Sequence, residues 1–180
     1  MKSTLIKILT VYKIMKLHSE DLCFNYLETP IGELEICSNN TELISVLFSK
    51  TQKLELSRKE ISENKIITET KKQLNAYFKK QITVFDLPLK LNGTEFQKKV
   101  WNELNKIPFA KTTNYLTLAK RLGDAKCIRA AATANGKNPM AIIIPCHRVI
   151  GSDDKLVGYA GDLWRKKWLL EHEGNQPKLF

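Results

Sequence analysis

The sequence predicts a mixed α/β chain of the α+β kind, with a small antiparallel sheet first and helices after it. Short apolar-polar segments separated by turn residues run from Cys23 to Phe48, the mark of strands joined by tight turns. Apolar residues at helical spacing take over from Leu74 onward. With 43% hydrophobic residues in 180, the chain can bury a core as one domain or two small ones.

The opening "MKSTLIKILTVYKIMK" is apolar but broken by lysines, and no small-residue cleavage site follows it. Residues 1–20 are read as an N-terminal extension: an extra strand, a loose tail, or residues upstream of a start at Met15. "CFNYLETPIGELEICSNNTELISVLF" reads as strand, turn, strand, turn, strand. Pro30 to Gly32 marks the first junction and Ser38-Asn39-Asn40 the second. The alternation in "GELEI" is that of a half-buried sheet. A lysine-rich loop follows from Lys50 to Glu63. In "IITETKKQLNAYFKK", Leu74 and Phe78 stand four apart, which predicts a helix. "LPLKLNGTEF" is a linker ending in Thr94, a suitable cap for the next helix. In that helix Phe96, Val100, Leu104 and Ile107 form an apolar stripe, expected to be plain core.

Next, "YLTLAKRLGDAKCIRAAATANGKNP" predicts two short helices with a glycine between them. The first spans about Leu116 to Leu122 and breaks at Gly123. Asp124 caps the second, which runs to about Ala134 and stops at Asn135-Gly136. This is a helix-turn-helix pattern, although any two packed helices around a glycine share it. In the second helix Arg129 precedes five small residues, Ala130 to Ala134. Alanines favour helix for local reasons; a bare face also admits a nucleic-acid groove, with Lys120, Arg121, Lys126, Arg129 and Lys137 around it.

Charge supports the second reading. The net charge is +10, and residues 91–180 carry 15 basic and 8 acidic side chains against 14 and 11 in residues 1–90. A basic bias in one half suits a polyanion, although a lysine-rich surface also serves solubility. The cysteines Cys23, Cys37, Cys127 and Cys146 lack paired short spacing, so neither a disulfide framework nor a CxxC metal site is expected. His18 and Cys23 are too few for a zinc site. No apolar run has the length of a membrane span. These features predict a cytoplasmic protein in a reducing setting, without membrane association.

In "NPMAIIIPCHRVIG", Asn138 to Gly151, four apolar residues lead to a proline and then to Cys146, His147 and Arg148. A cysteine kept for packing needs no titratable neighbours. Cationic neighbours favour thiolate, and thiolate is the nucleophile.

With these residues on the page, the chain resembles the O6-alkylguanine-DNA alkyltransferases, or methylated-DNA–protein-cysteine methyltransferases, from about Phe24 to Gly174. "IPCHRVIG" is similar to that family's active-site signature. Around it "FDLPLKLNGTEFQKKVW", "IPFAKTTNYLTLAKRLGDAKCIRAAATANGKNP", "GYAG" and "KKWLLEHEG" stand in the family's order. Three positions depart from the family pattern: Ala110 and Asp162 replace common glycines, and Ala160 takes a place that some relatives fill with serine.

The resemblance implies a ribonuclease H-like α/β domain over residues 21–91 with a small antiparallel sheet. A C-terminal helical domain over 92–180 would carry a winged-helix-like helix-turn-helix and the active-site cysteine. It implies a monomer that binds double-stranded DNA carrying O6-alkylguanine, chiefly O6-methylguanine and also O4-methylthymine, with the recognition helix in the minor groove. Arg129 would fill the stack as the damaged base flips out, at a cost of a few kcal/mol. Tyr115 would reach the flipped base at N3, and Asn138 would brace the turn before the active-site strand. Tyr159 would line the base pocket, the Ala160 backbone N–H would meet the O6 oxygen, and Val149 would be a further DNA- or base-binding residue. Cys146 would attack the alkyl carbon, with His147 as base and Glu173 as its orienter. Neighbours on an extended strand face opposite ways, so a turn must follow Pro145, and the family joins sulfur and imidazole through a water. A lowered thiol pKa is expected. The thioether product has no carbonyl for water to attack, so each molecule would react once, as a stoichiometric reagent that uses no cofactor.

Two other readings compete. A hydrolase using Cys146, His147 and Glu173 accounts for the thiol but not for the Arg129 helix or the basic half. A non-catalytic DNA-lesion binder of the family's cysteine-lacking kind is opposed by the presence of Cys146. The chain shows no segment for an appended regulatory domain, so activation of its own transcription is not expected.

Overall fold

The structure, a computed structural model, describes residues 22–49, 61–151, 153 and 155–174. The expected extension, His18 and nearly all of the lysine-rich loop lie outside these residues.

Strands β1 (Cys23–Leu27), β2 (Leu34–Ser38) and β3 (Leu43–Phe48) form an antiparallel sheet in the order β1-β2-β3. Both turns fall where the punctuation places them. The alternation in "GELEI" does not mark a half-exposed strand, because every residue of β2 is buried. As the central strand, β2 is covered on both faces and its polar side chains are enclosed with the rest.

Helix α1 (Lys65–Phe78) covers this sheet. Asn64 caps it by accepting from the Ile67 amide at 2.9 Å, and its own amide donates to Asn39 O, tying helix to sheet. After the linker, Thr94 and Gln97 form a reciprocal capping box at the start of α2 (Glu95–Asn105), which satisfies two otherwise unpaired amides. Val100 and Leu104 are buried as the stripe requires, and so is Ile107 just beyond the helix. Phe96 is 36% exposed, and Trp101, off the expected stripe, is buried instead. The Trp101 indole donates to Ala134 O at 2.9 Å, which fastens α2 to the helix that follows.

Asn114 caps α3 (Tyr115–Arg121). After Gly123, Asp124 caps a 3-10 turn over Ala125–Cys127, which runs into α4 (Ile128–Gly136). The helix-turn-helix is therefore present, with a tighter first turn and a helix two residues longer than the sequence suggests. Two-residue strands β4 (Thr113–Asn114) and β5 (Val149–Ile150) pair in parallel. Helix α5 (Leu163–His172) closes the described chain.

The two halves share one apolar cluster, and β3 joins them by hydrogen bonds. Its free edge is covered by the linker, where Leu43 N donates to Pro88 O, and by the segment before the cysteine. There Val46 N donates to Pro139 O and Ala141 N to Val46 O, each at 2.9 Å. The sheet of the first half thus anchors the turn that carries Cys146. Among the described residues no helix is long and apolar enough to cross a membrane.

Candidate active site

The apolar run before Cys146 is a series of turns, with Ile142 at φ 71°, and not the active-site strand that the resemblance implies. Asn138 holds the turns together. Its amide donates to Ile144 O at 2.8 Å and to Met140 O at 3.2 Å, while its oxygen accepts from Met140 N at 3.0 Å. Each of these bonds satisfies a backbone group that burial would leave unpaired. Cys146–Arg148 then forms a 3-10 turn directly after Pro145. That turn aims Cys146 at a pocket and the next two side chains at Glu173.

Cys146 faces a small pocket lined by Asn135, Asn138, Tyr159, Ala160 and Gly161, with Leu47 and Phe48 of β3 opposite. A side chain on Gly161 would lie 2.8 Å from the Phe48 ring and 2.7 Å from Tyr159, so only glycine lets the pocket lip pass there. Tyr159 has a buried hydroxyl with no hydrogen-bond partner among the described residues. The Asn135 amide donates to the Tyr115 hydroxyl oxygen at 3.2 Å, which engages that oxygen as an acceptor.

His147 and Arg148 turn to Glu173, the residue that caps the C-terminus of α5. His147 Nε2 lies 2.9 Å from Glu173 Oε1. Arg148 grips both carboxylate oxygens, Nε to Oε2 at 2.8 Å and Nη2 to Oε1 at 2.9 Å, and its Nη1 donates to Ile107 O. The Ala110 amide donates to Oε2 at 3.3 Å and the Tyr77 hydroxyl to Oε1 at 2.8 Å. Against the penalty of burial, the hydrogen bonds and charges of His147 and Arg148 lower the Glu173 carboxyl to about 2. Glu173 is therefore a carboxylate, and the ring nitrogen facing it carries the hydrogen. The other nitrogen, Nδ1, is buried without a partner among the described residues and is free to accept a proton.

Burial pushes the Cys146 thiol up, against smaller lowering effects from Asn138 and from the charge of Lys166. Burial likewise pushes His147 down. The expectation of a lowered thiol pKa therefore fails in the resting site: Arg148 is spent on Glu173, and enclosure outweighs the cation that acts on the sulfur. That cation, Lys166, is fully buried. Its ammonium donates to Val149 O and Val157 O at 2.6 Å each and to Gly158 O at 3.4 Å. Burial lowers it to about 8. It ties the segment leading to Tyr159 and Ala160 to β5 beside the cysteine.

Of the residues singled out from sequence, Cys146, Asn138, Tyr159 and Ala160 meet at the pocket, and His147 and Glu173 stand together behind it. Tyr115 joins them through Asn135. Burial first, and then the sulfur charge, raises the Tyr115 phenol to about 12. Val149 is fully buried with its carbonyl held by Lys166. Arg129 stands apart on α4, exposed, as are Lys120, Arg121, Lys126 and Lys137. Sequence reasoning missed Tyr77, Asn135, Lys166 and the destination of Arg148. Of these, only Arg148 carried a local signal, its place in "CHR".

Two departures from the family pattern sit at unusual backbone. Ala110 has φ 58° and Asp162 has φ 69° with ψ 146°, conformations that favour glycine. The Asp162 carboxylate accepts from Arg165 at 2.8 Å.

Comparison with known proteins gives a consistent result. Residues 22–91 match the family described as 6-O-methylguanine DNA methyltransferase, ribonuclease-like domain. Residues 95–175 match 6-O-methylguanine DNA methyltransferase, DNA binding domain. A methylated-DNA–protein-cysteine methyltransferase of Methanosarcina acetivorans is 43% identical over 149 residues, covering 82% of this chain and 96% of its own. The O6-methylguanine methyltransferase of Mycobacterium tuberculosis superposes with a TM-score of 0.77 at 40% identity, covering 84% of this chain and 92% of its own. A Mycobacterium tuberculosis structure in complex with DNA gives 0.76 at 40% identity, covering 83% and 92%.

Proposed function

This chain belongs to the 6-O-methylguanine DNA methyltransferase family, and from that premise we propose that Cys146 is the residue on which it accepts an alkyl group. The chain is a DNA-repair alkyltransferase, a methylated-DNA–protein-cysteine S-methyltransferase. Its substrate is O6-alkylguanine in duplex DNA, and it acts as a monomer. The observation that carries the site assignment is the enclosed thiol at the pocket beside a histidine whose far nitrogen is committed to a carboxylate.

The basic face of α3 and α4 binds phosphates, and Arg129 supports the stack that the flipped base leaves. The base enters the pocket against Tyr159 and Ala160. At rest the thiol and the imidazole are both neutral, so the proton moves as the sulfur attacks. It passes from Cys146 through a water to His147 Nδ1, and Glu173 stabilises the imidazolium that forms. A bond forms between Sγ and the alkyl carbon while the carbon–O6 bond breaks, its electron pair going to guanine. Tyr115 is a phenol at neutral pH, and its hydroxyl hydrogen meets the charge that develops on the leaving base at N3. The guanine anion then takes up one proton from water and the imidazolium returns its proton to solvent, so the products are restored guanine and an S-alkylcysteine. Without a carbonyl, this thioether offers water no point of attack, so the transfer ends the protein's activity.

Stoichiometry tests the proposal. With excess O6-methylguanine duplex, the methyl groups removed should level off at one per chain. A rate that continues without loss of protein would instead describe a hydrolase built on the same three side chains.

A further inference from the structure

Tyr77 enters the active site from the other half of the chain. It lies on α1 and is fully buried, with its ring among Phe78, Phe85, Phe109 and His172. A phenylalanine would fill that aromatic cluster equally well. The hydroxyl adds one contact, the 2.8 Å hydrogen bond to Glu173 Oε1. That oxygen is the one facing His147. A buried hydroxyl is costly unless it is paired, so what the tyrosine supplies beyond a ring is delivered to this carboxylate.

Resting on the alkyl-transfer reading above, we propose that Tyr77 is a positioning residue of the active site. Its hydroxyl fixes the Glu173 carboxylate toward His147 and tempers the charge that the imidazole feels. Ninety-six residues separate Tyr77 from Glu173, so the N-terminal helix tunes a base carried by the C-terminal half. The groups facing Tyr77, Glu173 and His147 are Arg148 from the active-site turn, Tyr159 from the segment after it, Lys166 and His172 from α5, and the Ala110 amide. Arg148 and Lys166 disfavour a charged His147 and Glu173 favours it. Removing the hydroxyl leaves Oε1 with one donor fewer and makes the carboxylate a stronger partner for imidazolium. His147 then holds its proton to higher pH, while the carboxylate loses a point of attachment.

The test is the single-turnover rate against pH for wild type, Tyr77→Phe, Glu173→Gln and the double variant, with O6-methylguanine duplex at saturating protein. Tyr77→Phe should lower the plateau roughly three- to tenfold, the net scale of one ordinary hydrogen bond. The acidic midpoint should move up by about half a pH unit. In the Glu173→Gln background the same change should do almost nothing, because its route is gone. Site-specific 3-fluorotyrosine at position 77 keeps the ring and strengthens the donor, so it should move the midpoint the other way. Unchanged profiles for both substitutions, or an equal loss with and without Glu173, would overturn the proposal. Wild type that takes up no methyl would instead sink the alkyl-transfer reading itself.

Discussion

The Glu173 carboxylate and the His147 imidazole meet at 2.9 Å with both side chains sealed from solvent, and Arg148, the next residue along, grips the same carboxylate. One acid therefore serves two purposes. It neutralises a buried guanidinium and fixes which nitrogen of the histidine is free.

Glu173→Gln should slow transfer to free O6-benzylguanine at least tenfold, because an amide orients the ring poorly and does not stabilise imidazolium. It should also lower stability by about 3–5 kcal/mol, since Arg148 is left as an uncompensated buried charge. Single-turnover rates and denaturant unfolding check both parts. A normal rate in a folded variant would remove Glu173 from the mechanism.

Stability should have an acid limb with two steps. His147 is depressed, so the unfolded chain binds its proton first and stability falls as pH drops below the ordinary histidine value of 6.5. Glu173 falls from 4.5 to about 2, a contribution of about 3 kcal/mol that is complete above 4.5 and lost between there and 2. On the alkaline side two contributions oppose each other: Cys146, raised above its ordinary 9.0, lowers stability above that pH, whereas Lys166, lowered from 10.5 to about 8, raises stability as pH climbs between those values, so no separate alkaline step is expected there. Urea midpoints across pH measure this. In Glu173→Gln the lower acid step should be missing.

Arg129→Ala should impair repair of duplex far more than reaction with free O6-benzylguanine. Free base needs no flipping, whereas duplex needs the vacated stack supported, and each 1.4 kcal/mol is about tenfold in rate. The comparison is made at saturating protein. A defect that vanishes at saturation would make Arg129 an ordinary phosphate contact, and equal losses on the two substrates would place its effect in the pocket or the fold.

Ala110→Gly should stabilise the protein by about 1 kcal/mol, because φ 58° strains an alanine and not a glycine. For a chain of this size that is roughly 2–4 °C in thermal midpoint. The Ala110 amide that donates to Glu173 is kept, so the transfer rate should not change. A lower midpoint would mean that the methyl group packs better than the backbone is strained.

What the sequence made legible was local. Turn residues placed the three strands, Thr94 and Asp124 marked helix starts, and the order Pro145-Cys146-His147 called for a turn that the structure contains. Where the reading failed, distant packing decided. The "GELEI" alternation lost its meaning once β2 became the central strand with both faces covered. The aliphatic run before Pro145 folded into turns because Asn138 satisfies their amides and carbonyls. Phe96 was drawn into the core stripe by spacing, while Trp101 had a carbonyl on α4 to reach. Tyr77 gave no sign of its place, since nothing near it in sequence hints at a carboxylate ninety-six residues away. Arg148 looked like a partner for the sulfur and is the partner of Glu173.

The most direct measurement is the intact mass of the protein after incubation with an O6-methylguanine duplex, followed by peptide mapping. Wild type should gain one methyl group, on Cys146, and no more on longer incubation. Cys146→Ala should gain none while still binding the duplex, because phosphate contacts supply most of the affinity. A methyl group on any other residue, or removal of methyl from DNA by Cys146→Ala, would contradict the assignment of Cys146 as the acceptor.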